Sequence, residues 1–305
     1  MKERIAIIDL GTNTFHLLIA EKNGPETNIL YREKQAVKIG MGGINQGLIK
    51  EPAILRALTC LRNFKKIMDD WKVSRVFAFG TSALRSATNG SEVIKKIRLE
   101  TGISIKLISG DEEAEYIYHG VRSAMDLGTE KSLIVDIGGG SVEFIIGNRE
   151  TIFWKQSFDI GAQRLLEQFQ KHDPILTEEI IELEACFEKS LAPLRRAFEN
   201  HIPSILVGSS GTFDTLSEIY CIRNGIKLTP DQSETPLTPE SFHSIHMEII
   251  ECNRAERLGI PGMIEMRVDM IVVASCLVNF LFHKFPLNKV RVSSYSLKEG
   301  VLSKT

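Results

Sequence analysis

Apolar residues come in short blocks along the first part of the chain. Residues 4–9 and 15–20 are rich in Ile and Leu, and the polar stretch Gly11-Thr12-Asn13-Thr14 between them predicts a hairpin. From 53 to 70 the spacing becomes helical, with Ile54, Leu58, Leu61 and Met68 on one face. A strand at 75–79, a helix near 91–101, a strand at 103–108 and a helix at 111–124 follow. Met125-Asp126-Leu127-Gly128 is where a domain boundary is expected. The second half opens like the first: Leu133 to Asp136 reads as a buried strand, Gly138-Gly139-Gly140 as a turn and Val142 to Ile146 as the returning strand. Helices are predicted at about 161–170, 177–199, 212–223, 239–256 and 265–284. A strand at 289–293 and a short amphipathic tail from Ser296 to Leu302 close the pattern.

The two openings belong to an internal repeat. Strand-Asp9-x-Gly11 and strand-Asp136-x-Gly138 lie 127 positions apart. Strand-Gly80-Thr81-Ser82 and strand-Gly208-Ser209-Ser210 lie 128 apart, so two unrelated landmarks recur at almost one interval. The repeat is one domain long, and 305 residues suffice for two cores. The expected division is an N-terminal lobe over 1–125 and a C-terminal lobe over 126–295.

Composition narrows the class. With 43% hydrophobic and 25% charged residues and no apolar run of membrane-spanning length, the chain reads as a cytoplasmic globular protein with no membrane partner. Five scattered cysteines form no C-x-x-C pair, which argues against a disulfide frame or a zinc site. A net charge of −2 argues against nucleic acid as a partner but leaves room for a local basic site binding another polyanion.

Chemistry concentrates in a few segments. In Asp136-Ile137-Gly138-Gly139-Gly140-Ser141-Val142-Glu143 the Asp ends a buried strand, where α/β ligands bind. The glycines let backbone approach an anion, and alternation puts Ser141 and Glu143 on one face. Asp136 and Glu143 could hold Mg²⁺, which prefers carboxylates, water and phosphate oxygens; the plain alternative is a glycine-rich hairpin with a solvated Glu. Asp9-Leu10-Gly11-Thr12-Asn13-Thr14 repeats the design with hydroxyls and an amide, groups that hydrogen-bond phosphate or metal-bound water; alternatively it is a polar turn. Gly208-Ser209-Ser210-Gly211-Thr212 leads from a strand into a helix, giving either an anion site at the helix N-terminus or an ordinary N-cap. It is not a Walker loop.

Ser109-Gly110-Asp111-Glu112-Glu113 has capping-box spacing, and one of its carboxylates could instead activate a water. Arg85, just past a strand end, could clamp a phosphate, as could Arg267 with Asp269 two residues on; each could equally be a surface ion-pair member. Lys34 and Lys38 are weaker basic candidates. His243-x-x-His246 lacks an apparent third ligand and is read as surface.

Taken together, these segments resemble the exopolyphosphatase and guanosine pentaphosphate phosphohydrolase (Ppx/GppA) family. The resemblance runs from Asp9 to Gly300. It rests on Asp9 to Thr14, Thr81-Ser82-Ala83-Leu84-Arg85, Gly110 to Ala114, Asp136 to Glu143, Gly208 to Thr212, Arg267-Val268-Asp269 and Ser296-Leu297-Lys298-Glu299-Gly300, in that order. It implies an α/β fold of two duplicated ribonuclease-H-like lobes of the actin-like ATPase and sugar kinase superfamily, with a cleft between them and a C-terminal helix at 296–305 packing back on the first lobe. It also implies roles: catalytic Glu113, Asp136 and Arg85; metal-binding Asp136, Glu143 and Asp9; and phosphate-binding Thr12, Asn13, Thr14, Arg85, Gly138, Gly139, Gly140, Ser141, Ser209, Ser210, Gly211, Thr212 and Arg267. The implied cofactor is Mg²⁺, the implied substrates are inorganic polyphosphate or guanosine pentaphosphate, and a homodimer is one option for assembly. The family often has Ser-Asn-Ser where this chain has Thr12-Asn13-Thr14. Longer members continue into a further helical region; ending at Thr305 makes a short-chain or nucleotide substrate plausible. A kinase or ATPase of the same fold, or a sensor that binds without hydrolysis, are the competing readings.

Overall fold

A computed structural model describes residues 2–24, 26–229 and 232–305. Its contacts fall into two units, Met1–Glu113 and Ala114–Thr305, each with a separate hydrophobic core.

The first unit holds strands β1 (Glu3–Leu10), β2 (Thr14–Asn23) and β3 (Glu26–Ala36), helix α1 (Glu51–Asp70), strand β4 (Arg75–Gly80), helices α2 (Ser82–Ser86) and α3 (Gly90–Thr101), and strand β5 (Ile105–Leu107). Helix α4 (Gly110–Ala124) begins in it. The sheet order is β3-β2-β1-β4-β5, with β2 antiparallel to β1 and β3, and β4 parallel to β1 and β5. Ile5 to Ile8 are fully buried, as a central strand covered on both faces requires.

The second unit holds strands β6 (Ser132–Ile137), β7 (Val142–Gly147) and β8 (Ile152–Phe158), helices α5 (Ala162–Phe169), α6 (Thr177–Ser190) and α7 (Ala192–His201), strand β9 (Ile205–Ser209) and helix α8 (Gly211–Arg223). Strand β10 (Glu234–Thr235), helices α9 (Pro239–Glu251), α10 (Arg254–Leu258) and α11 (Ile271–Lys284), strand β11 (Lys289–Ser293) and helix α12 (Leu297–Lys304) complete it. Its sheet runs β10-β11-β9-β6-β7-β8. Read from β8 to β11, the order and strand directions repeat those of the first sheet. The internal repeat is therefore a duplicated ribonuclease-H-like lobe.

Several elements differ from the sequence pattern. Strands β3 and β8 were not predicted: both are edge strands, and β3 carries the exposed Arg32 and Lys34, which blunt the edge. The predicted helix 177–199 is two helices, broken at Leu191 before Pro193. The predicted helix 239–256 is also two, with Cys252 extended and Asn253 capping α10 through the amides of Ala255 and Glu256. The helix expected from 265 starts at Ile271, and 264–270 is a turn whose Val268 carbonyl accepts from Arg257 Nε at 3.0 Å. Arg257 is 1% exposed and ion-paired to Asp173 at 2.7 Å.

His246 is not at the surface. It is buried, stacks on Phe242 and pairs through Nδ1 with Ser275 Oγ at 3.0 Å. The two units part between Glu113 and Ala114. The C-terminal helix lies on α4: a Cβ added to Gly300 would stand 1.7 Å from the Tyr116 carbonyl oxygen. Among the described residues no helix is long and apolar enough to cross a membrane.

Candidate active site

In the first unit, the ends of β1 and β4 lie side by side, and Thr81 donates through its amide and hydroxyl to the Leu10 carbonyl. Asp9 is near the end of β1, and Thr12, Asn13 and Thr14 form the buried turn into β2. The following loop is bonded onto that turn: Lys38 N–H donates to Asn13 O at 2.8 Å and Gly40 N–H to Thr12 O at 3.1 Å. Arg56 holds the loop from below through the carbonyls of Val37 and Lys38. Two hydroxyls here, Thr12 Oγ1 and Ser82 Oγ, are buried without a hydrogen-bond partner. Buried polar groups are nearly always paired, so unpartnered hydroxyls mark a place where a polar ligand belongs.

The first turn of α4 divides its acids between two jobs. Ser109 and Glu112 make a reciprocal capping box, Ser109 N–H to Glu112 Oε2 at 2.9 Å and Glu112 N–H to Ser109 Oγ at 3.1 Å. Lys106 also draws on Glu112; the amide of Ser109 and that ammonium hold its carboxyl below the usual range. Glu113 points elsewhere and is 8% exposed, with Oε2 accepting from Arg85 Nη1 at 2.9 Å. Arg85 Nη1 also donates to Ile108 O at 3.0 Å. Both bonds leave from one nitrogen, and a guanidinium has five N–H donors, so Arg85 can orient Glu113 and still meet a phosphate.

In the second unit, Asp136 on β6 faces Glu143 on β7 as a cross-strand pair. Both are buried, at 5% and 1% exposure. Opposed side chains on adjacent strands have Cβ atoms roughly 5 Å apart, and like charges there are unfavourable unless compensated. Hydroxyls supply part of the compensation. Glu143 Oε1 accepts from Ser141 Oγ at 2.7 Å and Ser157 Oγ at 2.6 Å. Asp136 Oδ2 accepts from Ser209 Oγ at 3.1 Å and from Ser296 Oγ. Burial pushes the Asp136 carboxyl up, opposed by hydrogen bonds from Ser296, Ser210 and Ser209 and by the charge of Lys298.

Gly138, Gly139 and Gly140 sit between these acids, braced by the start of α5. Ala162 N–H donates to Gly138 O, Gln163 N–H to Gly139 O and Arg164 Nε to Gly140 O, at 2.8 to 2.9 Å. Gly161 makes the contact possible, since a Cβ there would come within 2.4 Å of Gly140 and Ser141 backbone. Gly161 and Arg164 were missed in the sequence, where the only signal was a glycine opening an amphipathic helix. The Gly138 amide closes the turn on Ser141 O at 3.0 Å, so it is not available to an anion as expected.

Ser209 to Thr212 lead from β9 into α8. Ser210 has φ 75° and ψ 174° and its side chain does not cap the helix, so this is not an ordinary N-cap. Such a conformation is nearly exclusive to glycine and costs about 1–3 kcal/mol in other residues. Arg267 lies against Gly211, where an added Cβ would stand 2.0 Å from Nη2. Its Nε is buried without a partner, and burial pulls the guanidinium below its ordinary pKa against the pull of Asp214 and Asp136. The helix N-terminus and this cation make a place for an anion.

Comparison with known proteins shows the family. The model of the Ppx/GppA phosphatase family covers residues 18–305. The chain belongs to the Ppx/GppA phosphatase family. A solved exopolyphosphatase from Cytophaga hutchinsonii is 44% identical, superposes with a TM-score of 0.96, and matches over 99% of this chain and 97% of that one. The Aquifex aeolicus member of the Ppx/GppA family is 26% identical with a TM-score of 0.81, over 100% of this chain and 97% of that one. An exopolyphosphatase-like protein at 22% identity and a TM-score of 0.86, over 99% and 97%, shares the fold.

For a divalent cation, the described residues contain no group of three His, Cys, Asp or Glu side chains placed to hold one. The Asp136–Glu143 pair does suit Mg²⁺, which typically takes one or two carboxylates and completes its shell with water and substrate phosphate.

Proposed function

We propose that this Ppx/GppA phosphatase family member is an exopolyphosphatase, hydrolysing the terminal phosphoanhydride of inorganic polyphosphate. The observation that carries the reading is the buried Asp136–Glu143 pair beside the strained Ser210 turn and Arg267. It combines a place for a hard cation with a place for a phosphoryl group. The 44% identity to the Cytophaga hutchinsonii exopolyphosphatase supports the choice of substrate.

Mg²⁺ held by Asp136 and Glu143 would offset charge on the phosphate oxygens when bound. The chain's own groups do the rest. The N-terminus of α8 and Arg267 bind and orient the terminal phosphoryl group. Glu113, oriented by Arg85, takes a proton from a water whose oxygen attacks the terminal phosphorus. The bridging P–O bond breaks, releasing orthophosphate and a chain shorter by one phosphate.

Phosphate release in Mg²⁺ from polyphosphates of several lengths and from guanosine pentaphosphate, in one assay, tests the substrate. Release mainly from polyphosphate is expected; a clear preference for the nucleotide would replace the reading with a guanosine pentaphosphate 5′-phosphohydrolase. The base is tested by Glu113→Gln, which should lose about 10²–10⁴-fold in kcat. A variant keeping more than half its activity removes Glu113 from that role.

A further inference from the structure

We propose that Ser296, at the start of the C-terminal helix α12, is a positioning residue that fixes the Asp136 carboxylate for cation binding. The inference rests on the metal reading of Asp136 given above. Three hydroxyls hydrogen-bond to Asp136: Ser209 and Ser296 at Oδ2, and Ser210. They are not equivalent. Ser209 Oγ is also within hydrogen-bond distance of the Tyr295 carbonyl, at 3.2 Å. A serine has a single O–H to donate, so Ser209 serves Asp136 only when it leaves Tyr295. Of the two hydroxyls at Oδ2, Ser296 is the one that faces no second acceptor among the described residues.

The helix bearing it is held in register by backbone contact. A Cβ on Gly120 of α4 would lie 2.0 Å from the Ser296 carbonyl oxygen, and one on Gly300 would lie 1.7 Å from Tyr116 O. These two glycines let α4 and α12 touch main chain to main chain, with Ser296 at the contact. Ser296 N–H donates to Glu299 Oε2 at 3.0 Å, and Gly300 N–H to Ser296 O at 3.0 Å. Glu299 is 3% exposed, and Leu297, Val301 and Leu302 are buried around it. The Ser296 hydroxyl therefore has little freedom to turn away. A carboxylate pinned through Oδ2 presents its remaining lone pairs in one direction, as hydrogen-bonding partners behind metal ligands do in general.

The test uses Mn²⁺ alone as the probe, titrated into the full chain and followed by the electron paramagnetic resonance signal of the free ion. Wild type, Ser296→Ala, Ser296→Thr and Asp136→Asn are compared, with the Tm of each. Ser296→Ala should weaken binding about tenfold, and Ser296→Thr, which keeps a hydroxyl, should restore most of it. Should the alanine variant be too unstable to titrate, Ser296→Cys keeps the size with a weaker donor and should fall in between. Equal Mn²⁺ affinity in wild type and Ser296→Ala, with a changed Tm or none, overturns the proposal. A loss that Ser296→Thr does not reverse overturns it as well. Equal affinity in wild type and Asp136→Asn shows instead that Asp136 holds no cation, and both readings fall together.

Discussion

At Ser210 the backbone adopts φ 75° and ψ 174°, a conformation that burdens any side chain, and the helix it opens receives no side-chain cap in return. Ser210→Gly should therefore leave stability unchanged or raise it by about 1 kcal/mol in denaturant unfolding, strain relief outweighing the entropy glycine adds to the unfolded chain. The same variant should lower phosphate release, because the Ser210 hydroxyl hydrogen-bonds to Asp136. Opposite signs on stability and activity would mark the strain as functional. His246 gives a prediction of another kind. Burial lowers its pKa from 6.5 to about 4. The folded state thus keeps the imidazole neutral where the unfolded chain protonates it. Its contribution is complete above pH 6.5 and is lost as pH falls from 6.5 to 4, by up to about 3 kcal/mol. His246→Gln should flatten the slope of unfolding free energy against pH across that window.

Between elements, the contact of α4 and α12 depends on glycine more than on apolar side chains. Gly300→Ala places a methyl 1.7 Å from a carbonyl oxygen of the facing helix, which backbone cannot absorb without separating. A loss of about 2 kcal/mol is expected, read as a Tm lower by about 5 °C; an unchanged Tm would show that α12 is not seated on α4. The helix breaks follow a related logic. Cys252 is extended, and Arg257 reaches the Val268 carbonyl, so the turn bearing Arg267 is fixed by a buried guanidinium from a neighbouring helix. Helical spacing of apolar residues runs straight through both places, and for this reason the periodicity predicted longer helices than form.

Across the whole molecule the net charge of −2 carries no strong field, so the polyanionic substrate proposed above would be met by local groups such as Arg267 and the start of α8. If Asp136 and Glu143 work with Mg²⁺, EDTA should reduce phosphate release by about 10²-fold or more, and added Mg²⁺ should restore it. Activity undiminished in EDTA would remove the metal from the reaction.

The sequence alone determined the duplication, the strand–Asp–Gly and strand–Gly–Ser landmarks and most central strands, because each rests on short-range signals: apolar runs, glycine turns and hydroxyls at strand ends. It also offered Glu112 as the cap of α4 and, through the family resemblance, Glu113 as the base. Tertiary structure brought Arg85 onto Glu113 across 28 residues. It also placed Ser296 on Asp136 across 160 residues, set α5 under the glycine loop and made β3 and β8 edges. Those pairings follow from sheet order and helix packing, which join distant segments, and no local period along a chain records which distant partner a side chain will meet.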